Sequence, residues 1–223
     1  MINPDVLMAS RWWFEERKSH QPYLDLALST VFYFVQSLYH GTRNLSLLSI
    51  SGINSGEKKI SESMTTTIGI FVQPENYANF RAVLSLVGDL YNYLGLVRKY
   101  DLLELKPKID QLYEATNKFR DVRNAFTHLG EGLTNLEKHG VNGPLKTNCG
   151  IEYTETAKNC FHLIIDNEKI YFTSFKKANE IYVGKDAYNS IFDIARNIYA
   201  ELTSHKLMKE IQTYESVDSM FPI

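Results

Sequence analysis

The chain has 223 residues, and 24 Lys and Arg against 26 Asp and Glu leave a formal net charge of −2. This near-balance excludes proteins that hold nucleic acid through a large excess of positive charge, as histones do. Hydrophobic residues make up 44% and charged residues 22%, which is typical of a globular chain that forms one full domain or a domain with an insertion.

Helical periodicity dominates the first part of the chain. The segment Pro4 to Ser19 predicts a first helix, and a second is predicted between Pro22 and Gly41. The apolar stripe of the second helix steps by four and three residues and consists of Leu24, Leu28, Val31, Val35 and Leu38. The region of about 41–76 is rich in Ser, Thr and Gly, which predicts a loop insertion with at most a short helix or turn inside it.

Two longer helices are predicted in the middle of the chain. The first covers about Tyr77 to Leu105 and has a regular apolar face. The second begins at Pro107, runs to about Leu129 and stops at Gly130, since proline suits a first turn and glycine suits a helix end. The polar, glycine-containing segment Glu131 to Gly150 then predicts a loop.

The periodicity changes in the last third of the chain. Two short β-prone runs, Phe161 to Ile165 and Ile170 to Phe175, flank a polar tetrapeptide and predict a β-hairpin. A final helix is predicted over about Asp186 to Tyr214, followed by a loose tail after Val217. The predicted fold class is therefore mainly α, a single domain over 1–223 built as a helical bundle. Its insertions are a loop at about 41–76 and a loop plus a small β-hairpin at about 130–177, before the last helix.

The chain carries few features of secreted or membrane proteins. Cys149 and Cys160 are too few for a disulfide scaffold or a cysteine-based zinc site, and both fit a reduced protein. The longest apolar stretch, Tyr23 to Tyr39, contains Asp25 and several polar residues, so it is a poor transmembrane span. The first residues lack the pattern of a signal peptide. We therefore expect a cytoplasmic protein without a membrane association.

The strongest candidate site lies near the end of the helix that begins at Pro107. Arg123, Asn124 and His128 fall on an arc of about 140° that is centred about 150° from the apolar side of this helix. Asn124 is four residues from both Arg120 and His128, so each pair shares a face. These polar groups therefore point toward solvent, an inserted element or a partner chain.

The residue types suit cleavage of RNA without a metal. A histidine can transfer protons near pH 7 while the 2′-OH attacks the adjacent phosphodiester, and an arginine can stabilise charge on the phosphoryl oxygens. Asn124 could orient the histidine or hydrogen-bond the phosphate. One chain offers one such set, so a full acid–base pair calls for a second histidine, most simply from a second subunit. We expect no metal and no cofactor, because the remaining histidines are scattered and lack ligand spacing.

The run Arg123-Asn124-Ala125-Phe126-Thr127-His128 resembles the motif of HEPN ribonucleases, an Arg followed by a polar residue and then a His. The resemblance implies a HEPN-like all-α bundle and a metal-independent endoribonuclease. It also implies a homodimer with both motifs lining one cleft, and a role in antiviral defence, toxin–antitoxin systems or RNA processing. Arg123, Asn124 and His128 would be the catalytic residues, and Arg120 would bind RNA.

The partners implied by the resemblance are an RNA substrate, a second copy of the chain and an antitoxin or regulatory protein. HEPN toxins paired with nucleotidyltransferase antitoxins commonly carry a Tyr two residues after the His, where this chain has Gly130. Three alternatives stay open. The motif can be a solvated helix end with His128 near the helix C-terminus, the chain can be a non-catalytic module that binds RNA or protein, or it can be a structural helical dimer.

Overall fold

The computed structural model describes residues 4–45, 58–60, 68–71, 74–166 and 168–204. Its fold is mainly helical in these residues, as predicted. The helices are α1 (Pro4–Glu16), α2 (Leu24–Leu45), α3 (Pro74–Val97), α4 (Lys106–Asn117), α5 (Arg120–Thr127), α6 (Leu129–Thr134), α7 (Leu136–His139) and α8 (Asn189–Leu202). The strands are β1 (Lys58–Ile60), β2 (Ile68–Phe71), β3 (Leu145–Lys146), β4 (Ile151–Tyr153), β5 (Phe161–Asp166), β6 (Lys169–Ser174) and β7 (Lys177–Tyr182).

The chain divides into two compact units. The first consists of Met1–Arg43, Ser85–Lys118 and Tyr188–Ile223, and the second consists of Asn44–Leu84 and Phe119–Ala187. The predicted single domain over 1–223 therefore contains two centres of packing, and the division falls inside α3. Each unit interleaves distant parts of the sequence.

The described part of the first unit is helical. α1 and α4 both pack on α8, and the ring of Phe32 in α2 lies 6.0 Å from that of Tyr199 in α8. The predicted apolar stripe of α2 is confirmed, because all five of its members are fully buried. In the ranges given above, no helix is both long enough and apolar enough to span a bilayer.

Several predicted helix ends in this unit were wrong. α2 continues through Gly41 to Leu45. α3 ends at Val97 instead of Leu105, and a 3₁₀ turn at Leu103–Leu105 leads into α4. The early end of α3 has a physical reason, because the Lys106 ammonium donates to the backbone carbonyl of Arg98 at 2.8 Å and so satisfies a group just beyond the helix end.

The helix predicted from Pro107 to Leu129 is interrupted. α4 ends at Asn117, the chain turns at Lys118 and Phe119, and α5 begins at Arg120. Phe119 is fully buried, and it is also the first residue of the second unit after the break. The apolar positions on both sides of the break keep a helical spacing, so periodicity alone did not reveal it.

The second unit contains two small sheets. One has the strand order β1-β4-β3 and the other has the order β2-β5-β6-β7. The predicted hairpin is confirmed as the antiparallel pair of β5 and β6, in which Leu163 faces Phe172. It is extended on one side by the parallel strand β2 and on the other by the antiparallel strand β7.

The two predicted loop regions were therefore only partly correct. The insertion at about 41–76 holds β1, β2 and the start of α3, and its residues 46–57, 61–67 and 72–73 lie outside the described residues. The region of about 130–177 holds α6 and α7 as well as strands. These elements are short. β1 pairs in parallel with β4, and β2 pairs in parallel with β5, and in both pairs the partners are more than ninety residues apart in the sequence. Local sequence patterns do not report such pairing.

The last helix is shorter at its start than predicted. α8 begins at Asn189, and the residues before it, Lys185–Tyr188, form a 3₁₀ turn. α8 also ends earlier than predicted, at Leu202, because Thr203 and Ser204 form a turn instead of continuing the helix toward Tyr214. The tail after Val217 lies outside the described residues.

His162 is a packed residue of β5. Its side chain is 2% exposed, and its Nδ1 is hydrogen-bonded to the hydroxyl group of Tyr153 in β4. Burial lowers the pKa of His162 to about 4, because the protonated imidazole loses its hydration. His162 is therefore neutral at physiological pH.

This buried histidine predicts a loss of stability in acid. Its folded-state pKa lies below the unfolded value of 6.5, so the unfolded state binds the proton first as the pH falls. The free energy of unfolding is therefore highest above pH 6.5. It decreases by about 3 kcal/mol as the pH falls toward 4, because protonation favours the unfolded state. Urea unfolding followed by circular dichroism across this range measures the slope. We expect the slope of unfolding free energy against pH to be smaller in His162→Gln than in the native chain. The control His40→Gln, which changes an exposed histidine, is expected to keep the native slope. Equal slopes in all three proteins would contradict the role of His162.

Candidate functional site

The motif helix α5 is positioned by its apolar face. Val122 and Phe126 are buried, and α5 packs on β6 within the second unit. The ring of Phe126 also stacks on Tyr77 of α3, with 5.4 Å between the ring centres. The opposite face carries Arg123 and Asn124, which are half-buried. The predicted separation of apolar and polar faces is therefore present in the structure.

The three residues of the motif are linked by hydrogen bonds. The guanidinium of Arg123 donates from Nη2 to Oδ1 of Asn124 at 2.8 Å, and from Nε to the same oxygen at 3.3 Å. The backbone N–H of His128 donates to the carbonyl of Asn124 at 2.8 Å, and the His128 side chain is 59% exposed. Asn124 thus connects the arginine to the turn that carries the histidine.

Asn124 and His128 line a pocket of about 190 Å³ within the second unit. Its walls come from α5 and α6, from α7 and from the sheet strands with the turn after β6. The lining residues are Asn124, Ala125, His128, Glu131, Gly132, Lys138, His139, Phe161, Thr173, Ser174 and Phe175. Neither predicted arginine is among these lining residues. Arg123 contacts the pocket wall only through its hydrogen bonds to Asn124, and Arg120 is an exposed residue of the first turn of α5.

Glu131 is the electrostatic centre of the pocket. Its carboxylate oxygens lie 3.3 Å from Nζ of Lys138, 3.5 Å from Nδ1 of His128 and 3.7 Å from Nε2 of His139. The hydrogen bond from Lys138, helped by the charge of Lys138 and by the two histidines, lowers the pKa of Glu131. Because the carboxylate faces Nδ1 of His128, the nitrogen that this histidine can offer to a ligand is Nε2.

His139 is one of the pocket residues that the sequence did not reveal. It lies eleven residues after His128, with no ligand-like spacing, and only the turn between α6 and α7 brings it to Glu131. Its side chain is 12% exposed, and its Nε2 is buried without a hydrogen-bond partner in the described residues. The same pocket therefore holds two imidazoles from one chain.

Phe175 also lines the pocket, beside His139 and Lys138. Its ring centre lies 5.1 Å from that of His139, and Nζ of Lys138 lies 5.7 Å from the ring centre. Phe175 was not singled out from the sequence, because it fell at the end of the predicted hairpin. The pocket thus combines an amide, two imidazoles, an ammonium and an aromatic ring.

This set of groups can transfer protons near neutral pH and can bind an anion beside an aromatic surface. Within the described ranges, no group of three or more His, Cys, Asp or Glu side chains is arranged to hold a metal ion. Comparisons of the chain with protein-family models, with curated proteins and with solved structures found no match.

The ionic contacts predict how Glu131 titrates. Replacing Lys138 by Met removes the largest cause of the lowered pKa, so the Glu131 carboxyl is expected to titrate at higher pH in Lys138→Met than in the native chain. Carbon-13 NMR of the Glu131 carboxyl measures this shift. Lys176→Met, which removes a lysine that does not contribute to the Glu131 pKa, serves as the control. An unchanged titration in Lys138→Met would show that the contact does not form in solution.

Proposed function

We propose that the chain is a metal-independent endoribonuclease of the HEPN type, which acts as a homodimer in antiviral defence or as a toxin. The observation that carries the proposal is that Asn124 and His128 line one pocket while Arg123 is hydrogen-bonded to Asn124. These are the residues that resemble the HEPN motif. An antitoxin or another regulatory protein is the expected partner that restrains such an activity.

The proposed reaction uses only groups of the protein and the RNA. A basic imidazole takes the proton of the 2′-OH, and the resulting oxygen attacks the adjacent phosphorus. The P–O5′ bond breaks, an acidic imidazole returns a proton to O5′, and the products are a 2′,3′-cyclic phosphate and a 5′-hydroxyl. His128 acts through Nε2, and the guanidinium of Arg123 stabilises the phosphoryl oxygens in the transition state. Arg120 contacts the RNA backbone outside the pocket.

Two imidazoles are needed for one cleavage, and we assign the second to the partner's His128 across a two-fold axis. Glu131 orients His128 by accepting from Nδ1 when that nitrogen carries the proton. Analytical ultracentrifugation tests the dimer directly. A monomer that cleaves RNA would contradict the composite site and would transfer the second role to His139 of the same chain.

A second candidate is a non-catalytic HEPN-like module that binds RNA. The observation that favours it is the Glu131 carboxylate, whose negative charge lies 3.5 Å from Nδ1 of His128 and opposes a phosphate at that position. This module binds RNA without turnover, and Arg120→Ala and Arg123→Ala weaken its binding to a similar degree. The ribonuclease instead loses turnover in Arg123→Ala and mainly affinity in Arg120→Ala.

Cleavage of single-stranded RNA in the presence of EDTA separates these candidates. We expect cleavage by the native chain, with rates lower by about 10²–10⁴-fold in His128→Ala and about 10²–10³-fold in Arg123→Ala. His40→Ala, which changes an exposed histidine of α2, is the matched control and keeps the native rate. Equal cleavage by all four proteins would assign the activity to a contaminant, and a requirement for Mg²⁺ would contradict the mechanism.

A further inference from the structure

The turn between β6 and β7 holds two residues in an unfavourable backbone conformation. Ser174 pairs with Lys177, so Phe175 and Lys176 form a two-residue turn, with φ angles of 47° and 66°. Tight hairpin turns of this kind usually carry Asn or Gly, because the Cβ atom of most other residues crowds the backbone carbonyl when φ is positive. A phenylalanine at the first of these positions is a poor choice for the stability of the turn.

The side chain of Phe175 is also poorly placed for burial. It is 57% exposed, one of the few large hydrophobic residues that the described part of the protein leaves open to solvent. Its ring is nevertheless held in place by His139 at 5.1 Å and by the ammonium of Lys138 at 5.7 Å. Backbone strain and an exposed aromatic ring therefore coincide at the rim of the pocket that contains His128. Strain that packing does not offset is a feature of ligand sites.

We propose that Phe175 is a stacking platform for an unpaired nucleobase, so that the substrate of the pocket is single-stranded RNA. The exposed ring provides a flat π surface, and Lys138 places a positive charge beside it, where the phosphate next to the stacked base lies. Asn124 and His128 then meet the adjacent phosphodiester on the other wall of the pocket. This inference rests on the proposed function in taking RNA as the ligand.

A stacking platform at Phe175 also disfavours the binding of duplex RNA. A base inside a helix is stacked on both faces by its neighbours, and it cannot stack on Phe175 without leaving the helix. A stack on an aromatic side chain tolerates any base, because every base has a π face. The pocket therefore recognises an unpaired strand, with little preference for sequence at the stacked position.

Binding of an uncleavable strand tests the platform apart from catalysis. The probe is a short fluorescein-labelled 2′-O-methyl oligonucleotide, which lacks the attacking hydroxyl, used single-stranded and annealed to its complement. Fluorescence anisotropy is measured with the native chain, Phe175→Trp, Phe175→Asn and Phe175→Leu. We expect tight binding of the single strand by the native chain and by Phe175→Trp. Affinity is expected to fall by about 5- to 150-fold in Phe175→Asn and Phe175→Leu, the loss that one base stack carries.

A thermal unfolding measurement on the same variants separates a stacking role from a structural one. Asn adopts positive φ more readily than Phe, so Phe175→Asn is expected to keep or raise the melting temperature while it loses affinity. Phe175→Leu keeps an apolar side chain without a π face, and it preserves the test if Phe175→Asn fails to fold. Loss of affinity together with loss of the folded state in both variants would overturn the proposal, because the ring would then serve folding.

The outcomes also distinguish this proposal from the proposed ribonuclease. Phe175-dependent binding of the single strand, with no cleavage of unmodified RNA, supports the platform and contradicts the ribonuclease. Cleavage of unmodified RNA with equal affinity for the strand in the native chain, Phe175→Asn and Phe175→Leu overturns the platform alone. Equal affinity for the duplex and the single strand overturns it too, as does the absence of any binding by the native chain.

Discussion

Burial of the apolar face of α5 is the constraint on which the candidate site depends. Val122 and Phe126 are buried in the second unit, Phe126 stacks on Tyr77, and the helix packs on β6. Because α5 has only eight residues, the packing of its apolar face also sets the direction in which its opposite face points. Arg123 and Asn124 are thereby directed away from the core, and the turn that follows carries His128 to the pocket. A motif of three polar residues becomes a site because two apolar residues anchor its helix.

The charged groups of the pocket lie close to one another, although the chain as a whole is nearly neutral. Lys138, His128 and His139 all lie within 4 Å of the Glu131 carboxylate, so the cationic and protonatable groups of the pocket surround one negative charge. A ligand phosphate that displaces this carboxylate would meet three cationic or protonatable groups at once. If the proposed RNA ligand binds here, its affinity depends on a few ionic contacts and on stacking at Phe175, so the salt dependence of binding is expected to be modest.

The sequence predicted the helices of the first unit, the hairpin and the polar face of α5, because each has a local periodicity. It did not predict the break at Lys118 and Phe119 or the parallel pairing of β2 with β5, since neither changes the local pattern of apolar residues. His139 and Phe175 were missed for the same reason. They reach the pocket through the short helix α7 and the β6–β7 turn, whose positions are set by contacts distant in sequence.

The proposed function requires that RNA binds in the pocket formed by α5, α7 and the β6–β7 turn. Histidine NMR during titration with an uncleavable single-stranded RNA tests this most directly, because the six histidines are distributed through the chain. The account predicts that the imidazole signals of His128 and His139 shift together with saturable dependence on RNA, while those of His40 and the buried His162 stay in place. Shifts confined to other histidines, or no shift at His128 when RNA is bound, would contradict it.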